Sequence, residues 1–396
     1  MVMLPPTGVP AKHSHRLYSC RRGVVAVARD ADLLGARSQG WLITPSSGVR
    51  LMPPASSDEL LPWQIRLGFE LEDEDLRCIN YDSPQASAAT VFGPPQDKNC
   101  NQDFCLSGTI DDGSGNKLAF AAVADGVTTG SFWPQRGAQI ACFSAFSALK
   151  QLWRGGLSRA SELKAEHVAE LRDLLAETVA ERIRADRSDL LYDYHGVPPD
   201  WDPAVFERSA HLPNRWHTST LLVAAVAASG GLFCFAGDGG IHVVRSRPDG
   251  SVSNITTLES TDDMKIRQFV SPEFTGADLS CGVIATEGYD NVEIIVCTDG
   301  VDRTLSRAGM RPWDFVRGQC SNVALTNLLE TLPSRYGAQA DVDNYALARI
   351  AWPELETRSL VVPPATVATA IPAPQADVPR NLAQPWLDIG GGPGTP

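Results

Sequence analysis

The sequence predicts an α+β fold, an antiparallel β-sandwich flanked by helix pairs and not a doubly wound parallel sheet. Three observations carry this. Strand-like apolar runs follow one another without a single helix between each pair, glycine-rich turns join neighbours as hairpins, and two amphipathic helical segments come consecutively. The runs are FCLSG (104–108), KLAFAAVAD (117–125), STLLVAAVA (219–227), LFCFAGD (232–238), IHVVRS (241–246), VEIIVCTD (292–299) and NYALARIAW (344–352), with GSG at 113–115 and SGG at 229–231 as turns. One helix is expected from Gln135 to Trp153, its face set by Ile140, Phe143, Phe146, Leu149 and Leu152. A second is expected from Ser161, as N-cap, to Arg187, with Val168, Leu171, Leu175, Val179 and Ile183 as its stripe. A third falls near Trp313–Leu332.

These elements divide the chain. Residues 1–94 are rich in Pro, Ser and Gly and read as a weakly specified leader with short strands, VVAVA (24–28) and WLI (41–43) among them; residues 95–352 form the organised domain. Residues 353–396 are dominated by Pro, Ala, Thr and Gly, too little apolar area to offset ordering entropy, and read as a disordered tail.

The chain has 396 residues, 43% hydrophobic and 20% charged, which permits a sizeable core. Its net charge of −13 argues against a nucleic-acid surface, because phosphate backbones are held by an excess of Lys and Arg, and so disfavours a nuclease. Nine cysteines without a CxxC pair, Cys100 and Cys105 being nearest, read as a reduced, intracellular set. No run approaches the ~18–20 apolar residues that cross a bilayer. The basic residues His13, Arg16, Arg21 and Arg22 precede no cleavable apolar segment, so no secretory signal and a cytoplasmic location are expected; a monomer is expected as well.

Three apolar strands end in the same dipeptide: Asp125-Gly126, Asp238-Gly239 and Asp299-Gly300. Asp103 opens the first strand of the domain and Asp343 precedes the last. Any one Asp-Gly reads first as a turn, and GDGG at 237–240 could be a plain hairpin. Strand ends, however, converge on one sheet edge, and carboxylates gathered there share hard divalent cations that prefer oxygen donors. A glycine after the carboxylate lets the backbone come close enough for its carbonyl to join.

The ordered series NQD (101–103), VADGVTTG (123–130), HTSTLLVAAV (217–226), FAGDGG (235–240), VCTDG (296–300) and VDNYAL (342–347) resembles the protein phosphatase 2C family, especially its bacterial branch, over about residues 95 to 352. The resemblance implies a four-layer α-β-β-α sandwich with a two-metal centre of Mn²⁺ or Mg²⁺ at one end. It implies that Asp125 bridges both ions, that the Gly126 carbonyl binds one, and that Asp299 and Asp343 complete the shell of the other. Asp103 lies in the first acidic motif, where Gln102 replaces the usual Glu, and Asp238 matches a third-metal position. Arg303, where that third ion's partner carboxylate usually stands, argues against a third ion, and Asp302 is one residue short of it. Lys98 takes the place of the phosphate-binding Arg, and as a point charge it positions substrate less firmly. Val127 replaces a His that in some members is proposed as general acid.

The activity implied is hydrolysis of phosphoserine or phosphothreonine on proteins by a metal-activated water, with catalytic roles for Asp125, Asp299 and Asp343 and with a Ser/Thr kinase as a further partner. The alternative is a catalytically weak phosphatase-like module that binds a kinase or phosphopeptide. Ser219 reads as a strand start, Cys297 as a core thiol, His217 as a solvated strand-edge histidine, and Trp133 and Trp216 as lid or core packing. Of the polar connections 188–216 and 251–285, one is expected to form a flap over the site.

Overall fold

The computed structural model describes residues 14–20, 25–29, 41–44, 48–51, 64–79, 85–91, 93, 101–127, 134–193, 216–247, 251–259, 269–286, 289, 291–316, 319 and 321–353. All lie in one unit, Met1–Glu356; a second, Thr357–Pro396, which holds most of the expected tail, lies outside them.

Among the described residues before position 73, strands β1 (Ser14–Cys20), β2 (Val25–Arg29), β3 (Trp41–Thr44), β4 (Gly48–Leu51) and β5 (Gln64–Glu72) pair antiparallel in the order β4-β3-β2-β1-β5. A short helix α1 (Asp73–Cys78) follows.

The sandwich comes next. Strands β7 (Phe104–Asp111), β8 (Lys117–Ala124), β9 (Leu221–Ala227), β10 (Gly230–Ala236) and β13 (Ser280–Ile284) form one antiparallel sheet in the order β13-β10-β9-β8-β7. Strands β6 (Ala86–Val91), β11 (Gly240–Ser246), β12 (Val252–Glu259), β14 (Asn291–Cys297) and β15 (Tyr345–Trp352) form the other, in the order β12-β11-β14-β15-β6. The two sheets face each other through β15 against β7, β8 and β9. Helices α2 (Pro134–Gly155) and α3 (Ala165–Asp193) cover the first sheet, and α4 (Asp299–Arg307), α5 (Pro312–Phe315), α6 (Asn322–Glu330) and α7 (Leu332–Tyr336) lie on the second. The expected four layers are present.

Continuous burial explains the central strands: every residue of β9 and all of β8 after Lys117 are buried, as strands covered on both faces require. The expected helical faces drive the packing. Phe143 meets Phe104 with ring centroids 5.7 Å apart, and Phe146 meets Phe120 at 5.4 Å. The Trp153 indole N–H donates to the Asn116 carbonyl at 3.1 Å, fixing the β7–β8 turn. Arg154 reaches Glu74 at 2.6 Å and Lys150 pairs with Asp75, so α1 is tied to α2.

Several expectations are corrected. The second helix starts at Ala165, because Leu163 is drawn into the core and its N–H donates to the Ser229 carbonyl at 2.8 Å, which leaves Ser161 outside the helix. The third helix is broken: Pro312 and Pro333 start separate short helices, since proline lacks the donor an internal turn needs. Strand β6 pairs with β15, so the sandwich takes in residues before 95. The connection 251–285 holds the edge strands β12 and β13; its residues 260–268 and residues 194–215, where a flap is expected, lie outside the described residues. GDGG is not a hairpin either: β10 and β11 belong to different sheets, and the chain crosses between them there.

Phe120 is fully buried and packs at a tilt against Phe146. Phe120→Ala is expected to lower stability by about 3–5 kcal/mol, read as a fall in the urea midpoint without change in slope.

Candidate metal centre

Each carboxylate is fixed by backbone bonds at the end of a strand. Asp125 follows β8; its N–H donates to Thr220 Oγ1 at 2.8 Å, and its carbonyl accepts from the Thr220 N–H at 2.7 Å. The next residues are held on both sides: the Gly126 N–H donates to the Gln102 carbonyl at 3.2 Å and the Val127 N–H to the Thr218 carbonyl at 3.0 Å. Gly126 is required for packing, since a Cβ there would lie 2.5 Å from the Pro134 backbone at the start of α2.

Asp299 follows β14 and opens α4. Thr298 just before it donates its hydroxyl to Asp103 Oδ2 at 2.8 Å, accepts from the Ala346 N–H at 3.0 Å, and donates its own N–H to the Ala346 carbonyl at 3.0 Å. One threonine thus ties β7, β14 and β15 together. Asp343 precedes β15, with its Oδ1 accepting from the Asn344 N–H at 2.8 Å. Gly300 permits the approach: a Cβ there would sit 2.2 Å from the Asn344 carbonyl oxygen and 3.2 Å from Asp343 Cβ.

The result is a cluster. One carboxylate oxygen from each of Asp125, Asp299 and Asp343 lies within 4.8 Å of the others. Asp103, nearly fully buried, stands behind them. The Asp125 carboxyl is held well above the ordinary carboxylate range, first by burial and then by the charges of Asp103 and Asp299. Asp299 is pushed up to about 7, chiefly by burial and then by Asp238, with Arg303 opposing. Asp125 Oδ1 is buried without a hydrogen bond. An unpartnered buried oxygen within an all-oxygen, anionic donor set fits a hard divalent cation of the Mg²⁺ or Mn²⁺ kind.

The other expected residues fall as follows. Asp238 is not in the group of three; it pairs with Arg303 Nη2 at 3.1 Å. Arg303 Nη1 also reaches Asp299 Oδ2 at 2.6 Å and Asp341 at 3.9 Å, so its guanidinium spans the rim of the cluster. Asp302 faces His242 and not the cluster. Lys98 and Trp133 lie outside the described residues. His217 is corrected: it is fully buried, with Nε2 2.8 Å from Asp186 Oδ2, and Arg136 pairs with the same carboxylate. Burial beside Arg136 and His217 is what makes this pairing necessary, and these partners hold the Asp186 carboxyl below its ordinary value against the burial that opposes them. Asp341, Thr220 and Thr298 were not singled out by sequence reasoning, although hydroxyls flanking the motif in TSTLL and CTDG offered a signal.

A family model described as protein phosphatase 2C matches residues 95–332. The chain belongs to the protein phosphatase 2C family. Asp343 lies beyond the matched residues; the geometry places it beside Asp125 and Asp299. No match is found among curated proteins. Among solved structures the chain is similar to the serine/threonine phosphatase of S. agalactiae, at 18% identity and a TM-score of 0.39 over 67% of this chain and 98% of that one. It is also similar to the serine/threonine phosphatase Stp1 of Staphylococcus aureus, at 14% and 0.40 over 67% and 94%. The third is PppA of Pseudomonas aeruginosa, described as a key regulatory component of T6SS, at 14% and 0.39 over 68% and 97%. No helix among the described residues is long and apolar enough to cross a membrane.

The raised Asp299 carboxyl has a consequence for the cation-free protein. Its folded value of about 7 exceeds the ordinary 3.8, so the folded state holds the proton more tightly than the unfolded state does. This contribution is fully present below 3.8 and is lost as pH rises through about 7. Asp186, shifted downward, acts only below its ordinary 3.8 and leaves that window untouched. Asp125, also raised by burial and by Asp103 and Asp299, acts in the same direction, so chelator-treated protein is expected to melt at a lower temperature at about pH 7.5 than at about pH 5.5, and Asp299→Asn to reduce the difference without abolishing it. An equal slope in both proteins would remove Asp299 as a source.

Proposed function

We propose that this phosphatase 2C member is a metal-dependent phosphomonoester hydrolase acting on phosphoserine and phosphothreonine of protein partners, with water attacking phosphorus directly and no covalent enzyme intermediate. The observation that carries this is the convergence of Asp125, Asp299 and Asp343 on one point, with Asp125 Oδ1 buried and unpartnered. These three side chains, with the Gly126 carbonyl and with Asp103 and Asp238 at the margins, are the residues proposed to hold two Mn²⁺ or Mg²⁺ ions. Such ions supply acidified water near neutral pH and neutralise charge on phosphoryl oxygens.

The protein's own part is placement. Thr220 and Thr298 lock the backbones on which Asp125 and Asp299 stand, so the donors need little rearrangement on loading. Lys98 is proposed to hold the substrate phosphate. The family match supports protein phosphatase chemistry, and a phosphorylated protein with a Ser/Thr kinase as counterpart is the corresponding partner set. A cytoplasmic location and a monomeric state belong to the same proposal, as does a division into a leader, a phosphatase domain that includes β6 and runs to residue 352, and a tail 353–396.

One observation favours the second reading, a catalytically weak module that binds a kinase or phosphopeptide: Arg303 already holds Asp299 Oδ2 at 2.6 Å. A cation drawn to that oxygen competes with the guanidinium. Hydrolysis of p-nitrophenyl phosphate dependent on Mn²⁺, and reduced at least about a hundredfold by Asp125→Ala, supports the enzyme. Manganese binding without turnover supports the module. Arg303→Met is expected to lower the manganese concentration giving half-maximal activity several-fold, and an unchanged or higher value would show that Arg303 does not compete.

A further inference from the structure

On the reverse side of Asp299, three donors of different chemistry meet. His242 on β11, Cys297 at the end of β14 and Asp302 in the first turn of α4 each bring one ligand atom within 4.8 Å of the other two. His242 Nε2 lies 3.8 Å from Cys297 Sγ and 3.4 Å from Asp302 Oδ1. The sequence builds this deliberately. Gly240 pairs with Cys297 across the sheet, and His242 stands two residues on, so its side chain leans back over the glycine. A Cβ at 240 would lie 2.6 Å from His242 Nε2, so only glycine leaves room for the ring to reach the sulfur.

Both the sulfur and the carboxylate face the same nitrogen. A nucleophile–base–orienter arrangement puts the thiol and the acid on opposite nitrogens of the imidazole; here Nδ1 is turned to Thr257 Oγ1, 3.2 Å away. In the tautomer whose Nδ1 proton goes to Thr257, the Nε2 lone pair faces a carboxylate 3.4 Å away, an arrangement that a bound cation stabilises; in the other tautomer a proton fills that place. A ligating histidine is oriented by a hydrogen bond on its second nitrogen, a role open to the Thr257 hydroxyl here. Bond lengths of ~2.0–2.3 Å to N, O and S at tetrahedral angles separate donors by about 3.4–3.6 Å, close to the two separations found. His242 and Cys297 are buried, the Trp313 ring stands 5.8 Å from the imidazole, and Asp302 keeps a quarter of its side chain open to solvent as an entry.

We propose that His242, Cys297 and Asp302 form a second cation site, for a borderline-soft divalent ion of the Zn²⁺ class, distinct from the all-oxygen centre around Asp125. Mixed nitrogen and sulfur donors select such an ion over Mg²⁺. Binding displaces the thiol proton of Cys297 to solvent, leaving three protein ligands and one open position.

The test uses Co²⁺ as a spectroscopic probe of the chelator-treated full-length protein, with excess Mg²⁺ present. One equivalent is expected to raise a near-ultraviolet thiolate-to-cobalt charge-transfer band, which an oxygen-only centre cannot produce, and one equivalent of Zn²⁺ to bleach it. The band should persist in Asp125→Ala, vanish in Cys297→Ser, and require at least about tenfold more cobalt in Asp302→Asn. Asp302 is partly exposed, so that variant decides the matter if Cys297→Ser does not fold. No band at any cobalt excess, or a band with unchanged affinity in Asp302→Asn, overturns the site and leaves a proton as the group between His242 and Asp302. Neither result touches the phosphatase reading, which rests on other residues.

Discussion

Mutual repulsion among the carboxylates at the end of the sandwich is the constraint the rest of the structure serves. Two unit charges 4.8 Å apart at an effective dielectric near 20 repel by about 3 kcal/mol, and Asp103 adds to the field felt by Asp125. Backbone groups, not the acidic side chains themselves, fix the arrangement against that repulsion. Thr220 clasps both backbone groups of Asp125, and Thr298 clasps both backbone groups of Ala346. The hydrophobic cores beneath, with β8 and β9 buried along almost their whole length, supply the rigidity those clasps need.

The centre also has to draw on two sheets at once. Asp125 comes from the sheet of β8, whereas Asp299 and Asp343 come from that of β14 and β15. The Thr298 hydroxyl bond to Asp103 joins the two at the same end. The GDGG crossing does so a second time: Gly239 adopts a φ of 116°, and a Cβ there would lie 2.7 Å from the Cys297 carbonyl. A left-handed backbone and a close approach are both needed, so glycine is required at this crossing for more than turn propensity.

Much of this was legible. Strands ending in Asp-Gly showed as continuous apolar runs, and helices α2 and α3 as periodic stripes, because burial on both faces or on one leaves a pattern in consecutive residues. Strand β6, ASAATV, carries no large apolar residue, so its pairing with β15 had no local signature. Strands β12 and β13 are edge strands with exposed positions and read as polar loops. The bond between Arg136, Asp186 and His217 joins residues far apart in sequence, and nothing local to His217 distinguishes a buried partner from a solvated one. Arg303 was visible at its place, four residues after Asp299, but its span to Asp238 depends on the sheet crossing and could not be read from spacing alone.

Helix α4 brings these threads together, since its first turn carries both Asp299 and Asp302. The positive end of the helix dipole favours carboxylates there, yet Asp299 is raised to about 7. Burial and neighbouring anions therefore outweigh the dipole on the side facing Asp125. The carboxylate three residues on points instead to an imidazole and a sulfur. A single turn thus presents one oxygen to a hard, all-carboxylate surrounding and another to a softer, mixed one. Donor chemistry, and not distance along the chain, is what keeps the two surroundings apart.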